Sequence, residues 1–196
     1  MTDSKRCFVI AIAGAPGSGK TSLTLALAKL LDADTLFYDD YQQATNQSMA
    51  EILQWMKQGG DYNNLNIPGF AEAIAAQIQT SDKSFLLIET PLGRHHHASG
   101  QYIDCLVWLD TPLDISLARN IKAFSNEFKK APSDYVQQLD WLAHYLEGYI
   151  QDIRATLVIQ QERLTEDADI NIDGTLPLGE IAQRIYQAIS QEQSKG

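Results

Sequence analysis

Apolar residues fall along the chain in two alternating rhythms. Short unbroken runs at 7–13 (Cys-Phe-Val-Ile-Ala-Ile-Ala), 85–88 and 106–109 have the length and composition of buried strands. Residues 35–38 and 169–172 supply two shorter candidates. Between them lie stretches in which leucines, isoleucines and alanines recur every three or four residues, the helical rhythm: 21–31, 48–58, 70–79 and 178–190. Gly59-Gly60 ends the second of these, and Pro68-Gly69 closes an Asn-rich loop over 61–69. Thr111-Pro112 opens a further helix that runs to about Phe124. Residues 122–132 read as a polar, basic connection, 134–161 as an aromatic-rich helix, and 191–196 as a polar tail that frays.

Short strands alternating with helices predict an α/β domain, a parallel sheet covered on both faces. Crossovers in such a sheet are right-handed, so the loops after the strands gather along one edge, and ligands bind there. No internal repeat or linker divides the chain, so one domain is expected over 1–190, with a lid at about 119–133. The predicted rim collects the segment after the first strand, Asp39-Asp40, Glu89, and the loop 93–99.

That first segment carries the most specific chemistry. Gly14, Ala15, Pro16, Gly17, Ser18, Gly19, Lys20 and Thr21 form a complete G-x-x-x-x-G-K-[ST] loop between strand and helix, with Ser22 following. Glycines let the backbone turn its N–H groups inward around an anion, and the helix N-terminus adds its dipole. Lys20 reaches the β- and γ-phosphates, and the Thr21 hydroxyl serves Mg²⁺. ATP and Mg²⁺ are the expected cofactors.

Phosphoryl transfer also needs metal support and a group for the acceptor. Glu89, emerging after four apolar residues, suits the metal. Asp39 is assigned to the acceptor hydroxyl as base or orienter, because Asp39 and its neighbour point opposite ways in extended chain. Asp40 and Tyr41 are candidate substrate contacts. Arg119 and Lys122, one helical turn apart, lead into a segment with Lys129 and Lys130 that can close over phosphates and compensate charge. Arg94 and His95 are substrate candidates by position; three consecutive histidines, His95 to His97, are spaced wrongly for one metal ion. Tyr135, Trp141, Tyr145 and Tyr149 fit packing better than a stacking site. Asp173 and Gly174 form a turn on the same rim that can flank the nucleotide base.

Charge and composition narrow the partners. A formal net charge of −10 over 196 residues argues against a nucleic-acid partner, although 15 Lys and Arg suffice for one cationic pocket. The 2 cysteines, Cys7 and Cys105, sit in strand-like runs and read as packing residues. No stretch approaches the ~20 apolar residues of a membrane span, and no signal sequence is evident, so a cytoplasmic location is expected.

Taken in order, these motifs resemble the P-loop kinases of the uridine kinase, phosphoribulokinase and nicotinamide riboside kinase group. The resemblance rests on the phosphate loop, Tyr38-Asp39-Asp40-Tyr41, Leu87-Ile88-Glu89, Leu109-Asp110-Thr111-Pro112, Leu117-Ala118-Arg119-Asn120 and Asp169-Ile170-Asn171-Ile172-Asp173-Gly174-Thr175. It implies a five-stranded parallel sheet between helices, Asp39 acting on the acceptor, Glu89 assisting the metal, Arg119 as a lid arginine on the phosphates, and the Asp-Gly-Thr turn near adenine. The chain departs from the group in its sparse lid arginines and in Glu89-Thr90-Pro91 where Glu-Gly is usual. The expected activity is phosphoryl transfer from ATP to a hydroxyl of a small metabolite: a nucleoside, a sugar or a pantothenate-like compound. The alternatives are a P-loop ATPase acting on a protein partner and a nucleotide-binding regulator. Oligomeric state, and ATP versus GTP, stay open.

Overall fold

A computed structural model describes residues 7–41, 47–130 and 135–193. The described residues form a five-stranded parallel sheet in the order β2-β3-β1-β4-β5, with β1 Phe8–Ala13, β2 Asp34–Phe37, β3 Phe85–Glu89, β4 Cys105–Asp110 and β5 Ile170–Asp173. The central strand β1 is apolar at every position because both its faces are covered. Val9, Ala11 and Ala13 pack into one core layer with Phe70, Leu106, Trp108 and Leu164. Ile10 and Ile12 pack into the other with Leu23, Leu27, Val107 and Ile185.

Helices α1 (Lys20–Leu31) and α8 (Leu178–Gln193) cover the second layer. The first is covered by α2 (Met49–Lys57), α3 (Phe70–Thr80) and α7 (Arg154–Asp167), and the single turn α4 (His97–Gly100) precedes β4. Helix α2 starts with a reciprocal capping box: the Glu51 amide donates to Ser48 Oγ at 3.3 Å, and the Ser48 amide to the Glu51 carboxylate at 2.7 Å. Gly59, with φ of 80°, follows its end as the glycine pair suggested. Helices α5 (Leu113–Lys130) and α6 (Tyr135–Gly148) form a hairpin. A π-helical turn, Tyr149–Ile153, joins α6 to α7. No helix among the described residues is long and apolar enough to cross a membrane.

Three expectations change. Residues 122–130 are helix, not a loose connection, because Phe124 and Phe128 stand four apart on one face and meet the edge of Trp141 at 4.8 and 5.8 Å. Lys129 and Lys130 then fall in the last turn, where cations favour the helix dipole. Strand β2 ends at Phe37, so Asp39 and Asp40 lie in a 3-10 turn, Tyr38–Asp40, where successive side chains fan out by about a third of a turn instead of opposing each other. The final helix continues to Gln193, through part of the expected tail; residues 131–133 of the expected lid and 194–196 of the tail lie outside the described residues.

Candidate active site

The parallel sheet brings the strand ends to one rim in the order Asp39, Glu89, phosphate loop, Asp110, Asp173. Phe37 pairs with Glu89 and Ile12 with Glu89, so the acid on β3 stands between the Asp39 turn and the loop.

The loop is shaped by three glycines. Gly17 (φ 82°) and Gly19 (φ 107°) adopt backbone that other residues rarely take, and a Cβ on Gly17 would overlap the Ser116 carbonyl of α5. A Cβ on Gly14 would come within 2.7 Å of Ser18 Oγ. That hydroxyl is buried with no hydrogen-bond partner among the described protein atoms.

Lys20, in the first turn of α1, folds its ammonium back over the loop. It donates to the Ala15 carbonyl at 3.2 Å and stands 3.7 Å from Glu89 Oε1. Burial lowers its pKa from the usual 10.5, opposed by the charges of Glu89 and Asp39. Thr21 Oγ1 donates to Glu89 Oε2 at 2.8 Å. A half-buried ammonium with a spare donor, a buried carboxylate and a hydroxyl thus meet at the loop's end. These hard oxygen donors, beside an orphaned buried hydroxyl, fit Mg²⁺ held with phosphate oxygens.

On the β2 side, Asp39 and Asp40 are exposed. Asp39 is near enough to act on both Lys20 and Tyr38; the Tyr38 hydroxyl is pushed upward first by burial and then by Asp39. Tyr38 and Tyr41 pack on Phe70, with ring centroids at 5.8 and 5.4 Å.

The β4–β5 side is built around Gly174. Its amide donates to the Asp110 carbonyl at 2.7 Å, and a Cβ there would overlap Thr111 Oγ1. Thr175 donates through its amide (2.8 Å) and hydroxyl (2.6 Å) to Asp173 Oδ1, bonds that hold the Asp173 carboxyl below its usual range. A cavity of about 400 Å³, lined by Asp110, Pro112, Asn171, Ile172, Asp173 and Thr175, adjoins this turn. Arg119 Nη1 donates to the Ser18 carbonyl at 3.0 Å and the Gly174 carbonyl at 3.1 Å. It therefore ties the phosphate loop to the Asp-Gly-Thr turn on the β4–β5 side, where a lid arginine over the phosphates was expected. Lys122, one turn on, is exposed.

Arg94 and the histidines are not brought to this rim. The Arg94 guanidinium donates to the carbonyls of Ile103 (3.4 Å), Asp104 (3.3 Å) and Asp167 (3.0 Å) and to the Asp169 carboxylate (2.5 Å). Asp104 and Asp169 precede β4 and β5, so Arg94 bolts the opposite edge of the sheet, which corrects its expected substrate role. His95 Nε2–H donates to the Arg163 carbonyl at 3.3 Å and its ring stands edge-on to Tyr62. His96 is buried 2.8 Å from Ser99 Oγ, and the His97 amide donates to Asn63 Oδ1 at 2.7 Å. The imidazoles of His95 and His96 have different partners, and no group of three His, Cys, Asp or Glu that could hold a metal occurs among the described residues.

Sequence reasoning overlooked Arg163, which caps α2 by donating to the Met56 and Gly60 carbonyls at 3.0 and 2.8 Å and covers the Tyr62 ring. It also overlooked Gln160 and Gln161, which donate to the Pro91 carbonyl (2.7 Å) and the Asp110 carboxylate (3.0 Å). Their partners lie 51 to 107 residues away, and no local signal marks such pairs.

No protein-family model and no curated protein sequence matches the chain. Solved structures do. The chain is similar to a shikimate kinase from Acinetobacter baumannii in complex with shikimate, at 21% identity and a TM-score of 0.54, over 96% of each chain. It is also similar to a sugar kinase from a Janibacter species (13% identity, TM-score 0.53, 94% of this chain and 95% of that one). A shikimate kinase from Aquifex aeolicus gives 16% identity and a TM-score of 0.51, over 96% of this chain and all of the other. The fold shared with them is the α/β fold of the P-loop NTPases, a five-stranded parallel sheet with flanking helices.

Proposed function

We propose that this protein is an ATP- and Mg²⁺-dependent kinase that transfers the γ-phosphoryl group to a hydroxyl of a small metabolite. The observation that carries it is the meeting of Lys20, Thr21 and Glu89 at the loop's end with Asp39 on the neighbouring strand end. Similarity in fold to shikimate and sugar kinases supports the same class. The Tyr-Asp-Asp-Tyr and Asp-Gly-Thr segments support the uridine kinase-like group within it. The acceptor is a nucleoside, sugar or pantothenate-like compound.

The loop amides and Lys20 hold the triphosphate, and Arg119 with the Asp173-Gly174 turn organises the base side. Thr21 and Glu89 would hold Mg²⁺, which supplies charge neutralisation on the phosphate oxygens. Asp39 orients the acceptor hydroxyl. The acceptor oxygen bonds to the γ-phosphorus as the bond to the bridging oxygen breaks; ADP leaves with that electron pair, and the hydroxyl proton passes to Asp39. Catalysis rests on positioning and electrostatics, with no covalent enzyme intermediate.

The test is ADP release with Mg-ATP across nucleosides, sugars and pantothenate, with Asp39→Asn alongside. Stimulation by one class of compound, abolished in the variant, is expected. A slow acceptor-independent rate that survives in Asp39→Asn would remove Asp39 from its role and favour an ATPase or regulator.

A further inference from the structure

Resting on the kinase reading above, we infer that the acceptor is an uncharged polyol, a sugar or nucleoside, and that acceptors bearing a carboxylate or phosphate are rejected. The acceptor end of the site is the Asp39 turn next to Glu89. Recognition of an anion there calls for a cation with donors to spare, above all an arginine fork.

Four of the five arginines of the described residues are engaged elsewhere. Arg94 bolts the far edge of the sheet with its four acceptors. Arg163 caps α2 and lies on Tyr62. Arg119 serves the loop and the Gly174 turn, across β1 and β3 from Asp39. Arg184 pairs with Glu180 within α8 at 2.5 Å. The fifth, Arg154, is exposed at the start of α7 near Tyr149, whose hydroxyl donates to the Leu113 carbonyl at 3.3 Å, which places it by the start of α5 after β4, not beside Asp39.

Lysines supply no substitute. Lys20 belongs to the phosphates, and Lys83 pairs with Asp32 at 2.8 Å. Lys29 and Lys57 are exposed in the last turns of α1 and α2, and the other described lysines lie along the outside of α5. Residues 42–46 and 131–134, outside the described set, contain no lysine, arginine or histidine in sequence; Lys5, Arg6 and Lys195 belong to the two terminal stretches outside it.

What does line this end is acidic and aromatic. Asp39 and Asp40 are exposed on the rim beside Glu89, whose own charge is met by Lys20, so an anionic acceptor meets the like charge of the Asp pair on entry. Tyr38 and Tyr41, braced on Phe70, offer ring surface suited to the C–H face of a sugar or to a base. Shikimate, held by one of the similar structures, is itself a carboxylate, so the inference separates this chain from that neighbour.

The experiment presents matched pairs to the full chain with Mg-ATP, each keeping its free hydroxyls: glucose and gluconate, panthenol and pantothenate, uridine and its 6-carboxylate orotidine, with product identified by mass. The neutral member of any pair that is phosphorylated is expected to lead in kcat/KM by about 100-fold or more. An acid used as well as its neutral partner overturns the inference while leaving a kinase standing. If no compound yields product and ADP release is the same in Asp39→Asn, the kinase reading fails, and the inference falls with it.

Discussion

The phosphate end of the site and the α5–α6 hairpin are built on opposite principles. Around Lys20 and Glu89, side chains are nearly buried, backbone groups are fixed by the sheet, and each charge has a partner within 4 Å. In the hairpin, α6 buries none of its residues, and Val136 and Leu139 are each 66% exposed. What joins its two helices is an aromatic cluster: Phe124 and Phe128 edge-on to Trp141, which stacks on Tyr145 at 5.5 Å, plus an Asn120–Tyr145 hydrogen bond at 3.1 Å. One region is preorganised for charge; the other is a lightly anchored unit of low local stability.

Four substitutions sharpen that contrast. Lys20→Ala should have the largest effect, lowering turnover by about 100-fold to 1,000-fold, because it removes the ammonium proposed to hold the phosphates; steady-state kinetics would read it. Glu89→Gln keeps the hydrogen bond from Thr21 but loses the charge, and a loss of about 10-fold to 100-fold in apparent Mg²⁺ affinity is expected in a metal titration. Trp141→Ala should leave the phosphate end intact and cost the hairpin about 1–2 kcal/mol, seen as faster amide exchange in α6 with slow exchange retained in β1. The smallest effect concerns acid. His96 is buried and its pKa held below 6.5 by loss of solvation, against a backbone hydrogen bond from its ring to Leu65 that raises it. The unfolded chain therefore takes up that proton first, so stability is whole above pH 6.5 and falls as pH drops below it. In His96→Gln the slope of stability against pH below 6.5 should be shallower, measured by denaturant melts.

The loop at Gly14 to Thr21 and its flanking strands were legible in the sequence because their pattern is local. Eight consecutive residues set the loop, and buried runs ending in Glu89 and Asp110 set its flanks, since both faces of the sheet are covered. The second half of α5 was not legible: its polar composition hid the Phe124 and Phe128 pair, whose partner Trp141 lies on another helix. Arg94 misled because position after a strand suggests the rim, whereas Gly93, with φ of 54°, fits its chain close against Leu164 and Leu106 and the guanidinium reaches the opposite edge. Arg119 was expected as a lid arginine over the phosphates, and its bonds to the Ser18 and Gly174 carbonyls were not foreseen, because they depend on α5 lying against Gly17.

The central claim is that holding the triphosphate and handling the acceptor belong to different strand ends. Calorimetric titration of Mg-ATP into the wild type, Lys20→Ala and Asp39→Asn tests it most directly. The account predicts affinity weakened by about tenfold or more in Lys20→Ala and unchanged within about twofold in Asp39→Asn. Equal weakening by both substitutions, or no binding by the wild type, would contradict it.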